Sequence, residues 1–571
     1  MPTIICYLIK KDFNSAPRYG IADGGIVENK QSMFDSDVTL DNPHVIDHIK
    51  RVKKVQPKVI YPADSPNTVY YRNQEAKPPD WVSFWEVANP ITVQTADAIA
   101  VLEAGNRMFA ICHGHSSHLL NPYSVEYDFG LKTALNLVDK GSIRSTDFLT
   151  PSELAIRTRK QASVDADFDD YDVNVLTTIL KNITGKVRKK YANLFESING
   201  AESIKFVHRG TAGDLAAILT DLLGHYASDE YQKQGFEFID NFMPVKDPAQ
   251  LDTFDSLLMK AINDRNPDLV LCIPAALDYD GILNFRFKSL GQNRKKVFDH
   301  LEIETTLFAV LKETGKKFEE FEDFRSVRLE VVDQENHDLV IRHYPIRNCI
   351  YWEMKYAGKT YFFESGTWYL VNDDYLLLID SSVNGLINAS QTLAFPYKKE
   401  ILRKKYYKNT KRKAYENWYN IDLVEHFKAN KKEAELLDTK EVRLKGQTAI
   451  EVCDILLKEG TQAFELFHIK YKYGSSALSH LFSQGNVSAE MLTQKAFRTA
   501  ANHQITIASL KFPANIGYDP KNYTIVYGII SKPSNNGALS IPLFSRINLK
   551  VFVDNLSRMQ YKVRLCNIKE E

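Results

Sequence analysis

The sequence has no Cys-x-x-Cys pair: its six cysteines, Cys6, Cys112, Cys272, Cys349, Cys453 and Cys566, lie far apart. That spacing excludes a zinc ribbon and a disulfide framework, and it suits a reducing cytoplasm. No stretch approaches the ~18 apolar residues of a membrane-crossing helix, so no membrane partner is expected. Ile4, Ile5, Leu8 and Ile9 precede Lys10 and Lys11, the reverse of the charge order of a signal peptide. Excess charge is lacking too, with 72 Lys+Arg against 72 Asp+Glu, so the balance selects neither nucleic acid nor membrane. Internal repeats and low-complexity segments are absent.

What is present is an ordinary globular composition, 44% apolar and 25% charged, over 571 residues. That length predicts roughly two to four domains of an α/β or α+β multidomain chain. Residues 1–239 read as an α+β domain. Its strands are Thr3–Ile9, Ala98–Glu103 and Arg107–Cys112, the last two joined by a turn at Ala104-Gly105-Asn106. Its helices are Asn121–Leu137 and Gly213–Tyr226, the second with an apolar stripe of Leu215, Leu219, Leu222 and Leu223, and Asp165–Asp172 is an acidic loop between them. Residues 240–395 are strand-rich. Ser326–Val332, Asp338–His343, Cys349–Tyr356, Lys359–Glu364 and Trp368–Val371 predict a meander with turns at Ala357-Gly358 and Ser365-Gly366.

Composition changes near Phe395-Pro396, where a third domain, residues 396–571, is expected to begin. Lys398–Lys413 holds nine basic residues against one acid, Glu400. Lys404, Lys405, Lys408, Lys411, Arg412 and Lys413 are the candidate nucleic-acid ligands. Tyr397, Tyr406, Tyr407 and Tyr415 are interleaved, so phosphate neutralisation and base stacking are both available to such a segment. A solvated helix face or a linker has the same composition.

The order of elements after this segment carries the reading. A helix over Lys411–Lys428 precedes strands at Glu435–Leu444, Ala449–Leu457 and Ala463–Tyr473, with turns at Gly446 and Lys458-Glu459-Gly460. A helix over Ser475–Gln484, capped by Ser475 or Ser476, follows. Strand Tyr523–Ile530, helix Ser545–Met559 and strand Tyr561–Ile568 complete the chain. This order resembles the PD-(D/E)XK nucleases, whose restriction-endonuclease-like α/β/α core holds a metal-binding acid and a D/E-x-K triplet on adjacent strands.

The candidates are Asp454 and, sixteen positions on, His468-Ile469-Lys470. Alternation puts His468 and Lys470 on one strand face. Asp454, His468 and Glu451 are the candidate ligands of a divalent metal, Mg²⁺ or Mn²⁺. Glu416 is the candidate outer acid, Lys470 orients water and phosphate, and Gln484 closes the following helix. Phosphodiester hydrolysis requires such a set: a hard cation on carboxylates to polarise phosphate, and a cation to offset charge in the transition state. His468 stands where the motif has Asp or Glu, which implies a changed metal preference or a lost activity.

Other letter patterns compete. Glu353-Met354-Lys355 is an intact E-x-K, with Asp338 upstream, but it runs into another strand at Ala357-Gly358-Lys359, and exposed alternation on a meander accounts for it. His113-Gly114-His115-Ser116-Ser117-His118 is read as a strand-to-loop turn with capping serines, and an enzyme centred there as a weaker third hypothesis. Gly210-Thr211-Ala212-Gly213-Asp214 lacks the Lys-Ser/Thr of a P-loop, and an N-cap at Thr211 or Asp214 explains it.

Further stretches, Met108–Asp128, Gly130–Ser163, Glu451–Asp454 with His468–Gln484, and Pro542–Leu549, resemble an uncharacterised bacterial family of "sporadically distributed" proteins, along almost the whole chain. That resemblance implies a full-length homologue and brings no activity. Patchy distribution suggests anti-phage or mobile-element defence. The expectation is therefore a cytoplasmic metal-dependent nuclease acting on nucleic acid, DNA ahead of RNA, with homo-oligomerisation open. The alternative is a non-catalytic nucleic-acid- or partner-binding protein on a decayed nuclease fold.

Overall fold

Ile4, Cys6 and Leu8 are buried at alternate positions, which gives Thr3–Leu8 the apolar face of a strand. In the computed structural model this strand lies inside an eleven-stranded sheet, between Ile204–Val207 and Arg107–His113 and antiparallel to both. The structure describes residues 2–22, 24–53, 56–73, 76, 78–79, 82, 91–150, 156–274, 282–291, 296–319, 321–406, 415–444, 449–459, 463–471, 475–513, 517–531, 539 and 541–571. Met1–Leu149 with Thr158–Ile239 pack as one compact unit, and Thr150–Arg157 with Asp240–Glu571 as a second.

In the first unit the hairpin is found as Ala96–Ala104 and Arg107–His113. Gly105 and Asn106 take positive φ angles of 54° and 58°, which the tight turn requires. Leu215–Tyr226 is helical and buries Leu215, Leu219 and Leu222 against the sheet core. The Asn121–Leu137 helix is shorter than its apolar pattern. Asn121 Oδ1 accepts from the Tyr123 amide at 3.1 Å and sets a single 3-10 turn, and the α-helix begins at Phe129. The acidic loop contains a turn, Phe168–Tyr171, whose two aromatic rings are buried.

The middle meander is two sheets rather than one. Arg328–Asp333 and Val340–Pro345 join Leu283–Lys288, whereas Ile350–Tyr356, Lys359–Glu364 and Thr367–Val371 join Phe242–Pro244 and Val270–Leu271. The break falls at the 3-10 turn Ile346–Cys349. There the buried Arg347 donates to the Gly366 carbonyl and lies over the rings of Phe321 and Phe363, so the chain turns out of the first sheet.

We number the remaining elements from Asp373. Helix α1 is Asp373–Asn388, α2 Lys399–Tyr406, α3 Tyr415–Ala429, α4 Ser475–Leu492, α5 Lys495–Asn502 and α6 Leu543–Arg558. Strands are β1 Gln391–Thr392, β2 Glu433–Leu436, β3 Ile455–Glu459, β4 Ala463–Tyr471, β5 Tyr523–Ser531 and β6 Lys562–Lys569. They form one sheet in the order β1-β6-β5-β4-β3-β2. β2, β3 and β4 are antiparallel in succession, and β5, reached through α4, is parallel to β4. Trp418, Tyr419, Leu423, Val424 and Phe427 of α3 cover one face over Phe467, Ile469 and Tyr471. The helix, three strands, helix, strand and helix–strand order that hydrophobic periodicity predicts is present, but two of the predicted strands are broken. Glu435–Leu444 is found as Glu433–Leu436 and Glu441–Val442, and Ala449–Leu457 as Ile450–Glu451 and Ile455–Glu459. Glu441–Val442 pairs with Ile450–Glu451 in a separate two-stranded sheet. α4 does not close at Gln484; it continues two turns to Leu492. Gly446, Gly460 and residues 407–414 lie outside the described residues.

Glu353 ties the middle sheets to this layer. Its Oε2 accepts from the Leu543 amide at 2.7 Å and its Oε1 from the Phe544 amide at 3.4 Å, so it caps α6. Phe544 packs among Phe242, Tyr351 and Phe362, and Arg546 pairs with Asp380 of α1. The intact E-x-K is therefore no surface alternation. Its glutamate is half-buried as a helix cap, its Lys355 faces solvent, and Asp338 sits exposed in a turn held by Asn336. Glu353→Ala is expected to lower the stability of the second unit by ~1–3 kcal/mol in urea unfolding, because two helix amides lose their acceptor. Lys355→Ala is expected to leave it within about 0.5 kcal/mol.

Candidate active site

The geometry of the site follows from unequal strand lengths. β3 pairs with β4 only as far as Ile455 opposite Phe467, and the Asp454 amide closes the ladder on the Phe467 carbonyl at 2.8 Å. β4 runs on to Tyr471, so the amides of Ile469 and Tyr471 face a side from which the backbone partner has departed. Two carboxylates take the vacated positions. Asp454 Oδ2 accepts from the Ile469 amide at 2.5 Å, and Glu416 Oε1, from the first turn of α3, accepts from the Tyr471 amide at 3.0 Å. Lys470 lies between these two residues and pairs with Glu416 Oε2 at 2.9 Å.

More acids gather beside them. The Leu437 and Asp438 amides both donate to the Asp454 carbonyl, at 2.8 and 3.0 Å, which brings Asp438 to the site. Asp438 Oδ2 accepts from Asn417 and Asn420 of α3 at 3.1 and 2.8 Å. Glu451 Oε1 accepts from the Thr439 amide at 3.1 Å. Burial, with the charges of Asp438 and Glu451 adding to it, pushes the Asp454 carboxyl up to about 8 against the Ile469 amide and Lys470. Glu451 is raised for the same reasons, burial first and then Asp438. Burial works to lower Lys470, but Glu416, Asp454 and Asp438 outweigh it and hold the ammonium charged.

Four candidates, Glu416, Glu451, Asp454 and Lys470, therefore belong to one hydrogen-bonded and electrostatic group. His468 does not join them. It is 3% exposed, in register with Tyr527 of β5, whose hydroxyl donates to the Phe482 carbonyl of α4. Its Nε2 finds no partner among the described residues, and burial pushes the ring down to about 4, so it is a neutral core side chain rather than a ligand. Gln484 is half-buried in the middle of α4.

Of the basic candidates, Lys404 is exposed on α2, and Lys405 is paired with Asp422 at 2.5 Å. Lys408, Lys411, Arg412 and Lys413 fall outside the described residues. Three of the four tyrosines are engaged in packing, and Tyr407 lies outside the described residues. Tyr397 is buried, Tyr406 stacks on Trp418, and Tyr415 meets Trp418 edge-on with Lys399 over its own ring.

The other motifs are local structure. Ser116 Oγ accepts from the His113 amide at 3.1 Å and donates to the Ala98 carbonyl at 2.7 Å, and the His115 amide is held by Asp97. Asp214 Oδ2 accepts from the Thr211 amide and hydroxyl, a capping arrangement. Among the described residues no three His, Cys, Asp or Glu side chains converge so as to hold a metal ion unaided.

Two residues near the site escape a reading of the letters. Asp438 follows an apolar run that reads as unbroken strand, and only the Asp-Thr pair marks the turn there. His480 sits on α4, exposed, in the electrostatic field of Lys470 and Glu416.

A family model covers residues 4–569, nearly the whole chain. The chain belongs to DUF6119, a family of unknown function. Neither a curated protein nor a solved structure matches it. DUF6119 membership runs nearly from end to end of the chain and assigns no chemistry. The described residues hold no helix long and apolar enough to cross a membrane.

Asp454 keeps its proton to about pH 8 in the folded chain and releases it near the ordinary value of 3.8 when unfolded. Its contribution to stability is complete below about pH 4 and is lost as pH rises through about 8. Without divalent ions, Asp454→Asn is expected to exceed the wild type by up to ~5 kcal/mol at pH 8 in urea unfolding, with the difference closing near pH 4.

Proposed function

We propose that residues 391–571 form a PD-(D/E)XK-like core that hydrolyses phosphodiester bonds in nucleic acid with a divalent cation. One observation carries this reading: Asp454, Glu416 and Lys470 meet where β4 outruns β3, in a sheet whose next strand returns parallel through α4. The donors suit a hard cation. Asp454, Glu451 and Asp438 offer only carboxylate oxygens, and Mg²⁺ is held by one or two carboxylates completed by water and substrate phosphate, so a closed three-ligand cage is not required. Burial first, and then the neighbouring Asp438 and Glu451, give Asp454 its high proton affinity, and a cation would compete with that proton for its oxygens. His468, the expected ligand, is left out of this set.

A bound Mg²⁺ or Mn²⁺ would polarise the phosphate and lower the pKa of bound water. Asp454, with Glu451 or Asp438 beside it, would hold that ion. Lys470, kept charged by Glu416, offsets charge on the pentavalent phosphate oxygens and orients the attacking water. Glu416 acts on Lys470 and on the Tyr471 amide, and so fixes the end of β4. Lys399, Arg403 and Lys404 on α2 offer charge to the phosphate backbone, while the packed rings of Tyr397, Tyr406 and Tyr415 leave little for base stacking. Recognition by such a surface is electrostatic and indifferent to sequence.

Plasmid DNA and structured RNA incubated with Mg²⁺ or Mn²⁺ are expected to be cut by the wild type. Lys470→Ala and Asp454→Asn are expected to cut at least ~10²-fold more slowly. Equal cutting by all three proteins ends the assignment.

The burial of His468 favours a second reading, a nucleic-acid-binding protein on a decayed nuclease fold. It predicts salt-dependent binding, uniform across base sequences and weakened by Arg403→Glu with Lys404→Glu, and no cleavage with either metal.

A further inference from the structure

We propose that Asn417 and Asn420 are positioning residues that fix Asp438 as the second cation-binding carboxylate of this site, in the place that the motif gives to residue 468. This role rests on the hydrolytic reading above and deepens it. His468 is sealed in the core, so the strand that should carry the second acid carries none there. Asp438 reaches the same point from the end of β2. The Leu437 and Asp438 amides share the Asp454 carbonyl, at 2.8 and 3.0 Å, which brings the two aspartate backbones together. After burial, Asp438 is the largest charge raising both Asp454 and Glu451, so it stands close to each.

Two asparagines on one helix face hold it. Asn417 and Asn420 are three residues apart on α3, and Glu416 lies one turn before Asn420. Both carboxamide nitrogens donate to a single oxygen of Asp438, Oδ2, at 3.1 and 2.8 Å. Oδ1 of Asp438 accepts no hydrogen bond among the described residues and is left for a ligand. The same holds for Oδ1 of Asp454, whose Oδ2 takes the Ile469 amide. Glu451 is engaged differently. Its Oε1 takes the Thr439 amide, and Thr439 is held at a φ of 66°, a conformation that a β-branched residue rarely adopts. Glu451 thus secures the turn, and Asp438 within that turn is left to meet the cation.

The buried carboxamide of Asn420 separates this arrangement from ordinary packing. The residue is 1% exposed, and its Oδ1 has no donor among the described residues. Exchanging its oxygen and nitrogen would set two acceptors, Asn420 Oδ1 and Asp438 Oδ2, against each other, so the amide must present its nitrogen to Asp438. A leucine would fill this core position without stranding a carbonyl. The chain keeps the carboxamide at a cost in stability, and the one hydrogen bond that side chain makes among the described residues is to Asp438. One oxygen of Asp438 is pinned and its twin left open, which suits a monodentate ligand. Asp438 and Asp454 together would offer a hard cation two carboxylate oxygens, with water and substrate phosphate completing its shell.

The test is Mn²⁺ binding to the full chain, read from the electron paramagnetic resonance of the free ion, with urea unfolding in metal-free buffer alongside. The wild type is expected to bind Mn²⁺, and Asp438→Asn and Asn420→Leu to bind it ~10–100-fold more weakly. Glu451→Gln, which keeps an acceptor for the Thr439 amide, is expected to bind as the wild type does. Without metal, Asn420→Leu is expected to unfold at or above the wild-type urea midpoint, which a purely structural hydrogen bond would not allow. Asn417→Ala, at a half-buried helical position where alanine preserves the fold, is expected to weaken binding without disturbing the core. Wild-type affinity in Asp438→Asn overturns the proposal, as does a fall in the stability of Asn420→Leu with Mn²⁺ affinity unchanged. If the wild type still cuts plasmid DNA, either outcome removes this role alone. A wild type that binds Mn²⁺ through Asp438 and cuts nothing removes the hydrolysis and leaves the ligand assignment. A wild type that neither binds Mn²⁺ nor cuts removes both.

Discussion

Two backbone amides at the end of β4 have no strand to receive them. A buried N–H without an acceptor is costly, and the fold answers with the carboxylates of Asp454 and Glu416. Much else at the site follows from that constraint. The carboxylates must lie at the strand ends, and burial desolvates Asp454 there. Desolvated and close to Asp438 and Glu451, the Asp454 carboxylate is favoured by the positive charge of Lys470, which Glu416 in turn holds in place. The same contacts that finish the sheet thus concentrate anionic oxygen and one fixed ammonium at a single point.

That arrangement separates side chains the letters treat alike. His468 and Lys470 share a strand face, yet the former is covered by Tyr527 and α4, while the latter lies beyond the end of β3, where a charged group can reach past the sheet to α3. Position along the strand decides between core and site, and parity alone does not.

The C-terminal element order was legible because helical and strand periodicities are local properties, each carried by a dozen residues or so. Asp454, Glu416 and Lys470 were legible as residue types with a spacing. Asp438 was not, because it is brought in by peptide hydrogen bonds to the Asp454 carbonyl and by two asparagines of α3, and these contacts link segments distant in sequence. The middle meander failed at one residue, the buried Arg347, whose hold on Gly366 divides the strands between two sheets. Trp418 likewise recruits Tyr406 and Tyr415 into packing, and composition does not record which face of a ring is already covered.

Glu353 has a further consequence, for the order in which the chain is made. The sheet that carries it, from Phe242 to Val371, leaves the ribosome well before α6 at Leu543–Arg558. The acceptor for the first amides of α6 is thus available before the helix exists, and so is the aromatic seat for Phe544. The C-terminal sheet, whose β6 follows that helix, is completed only afterwards.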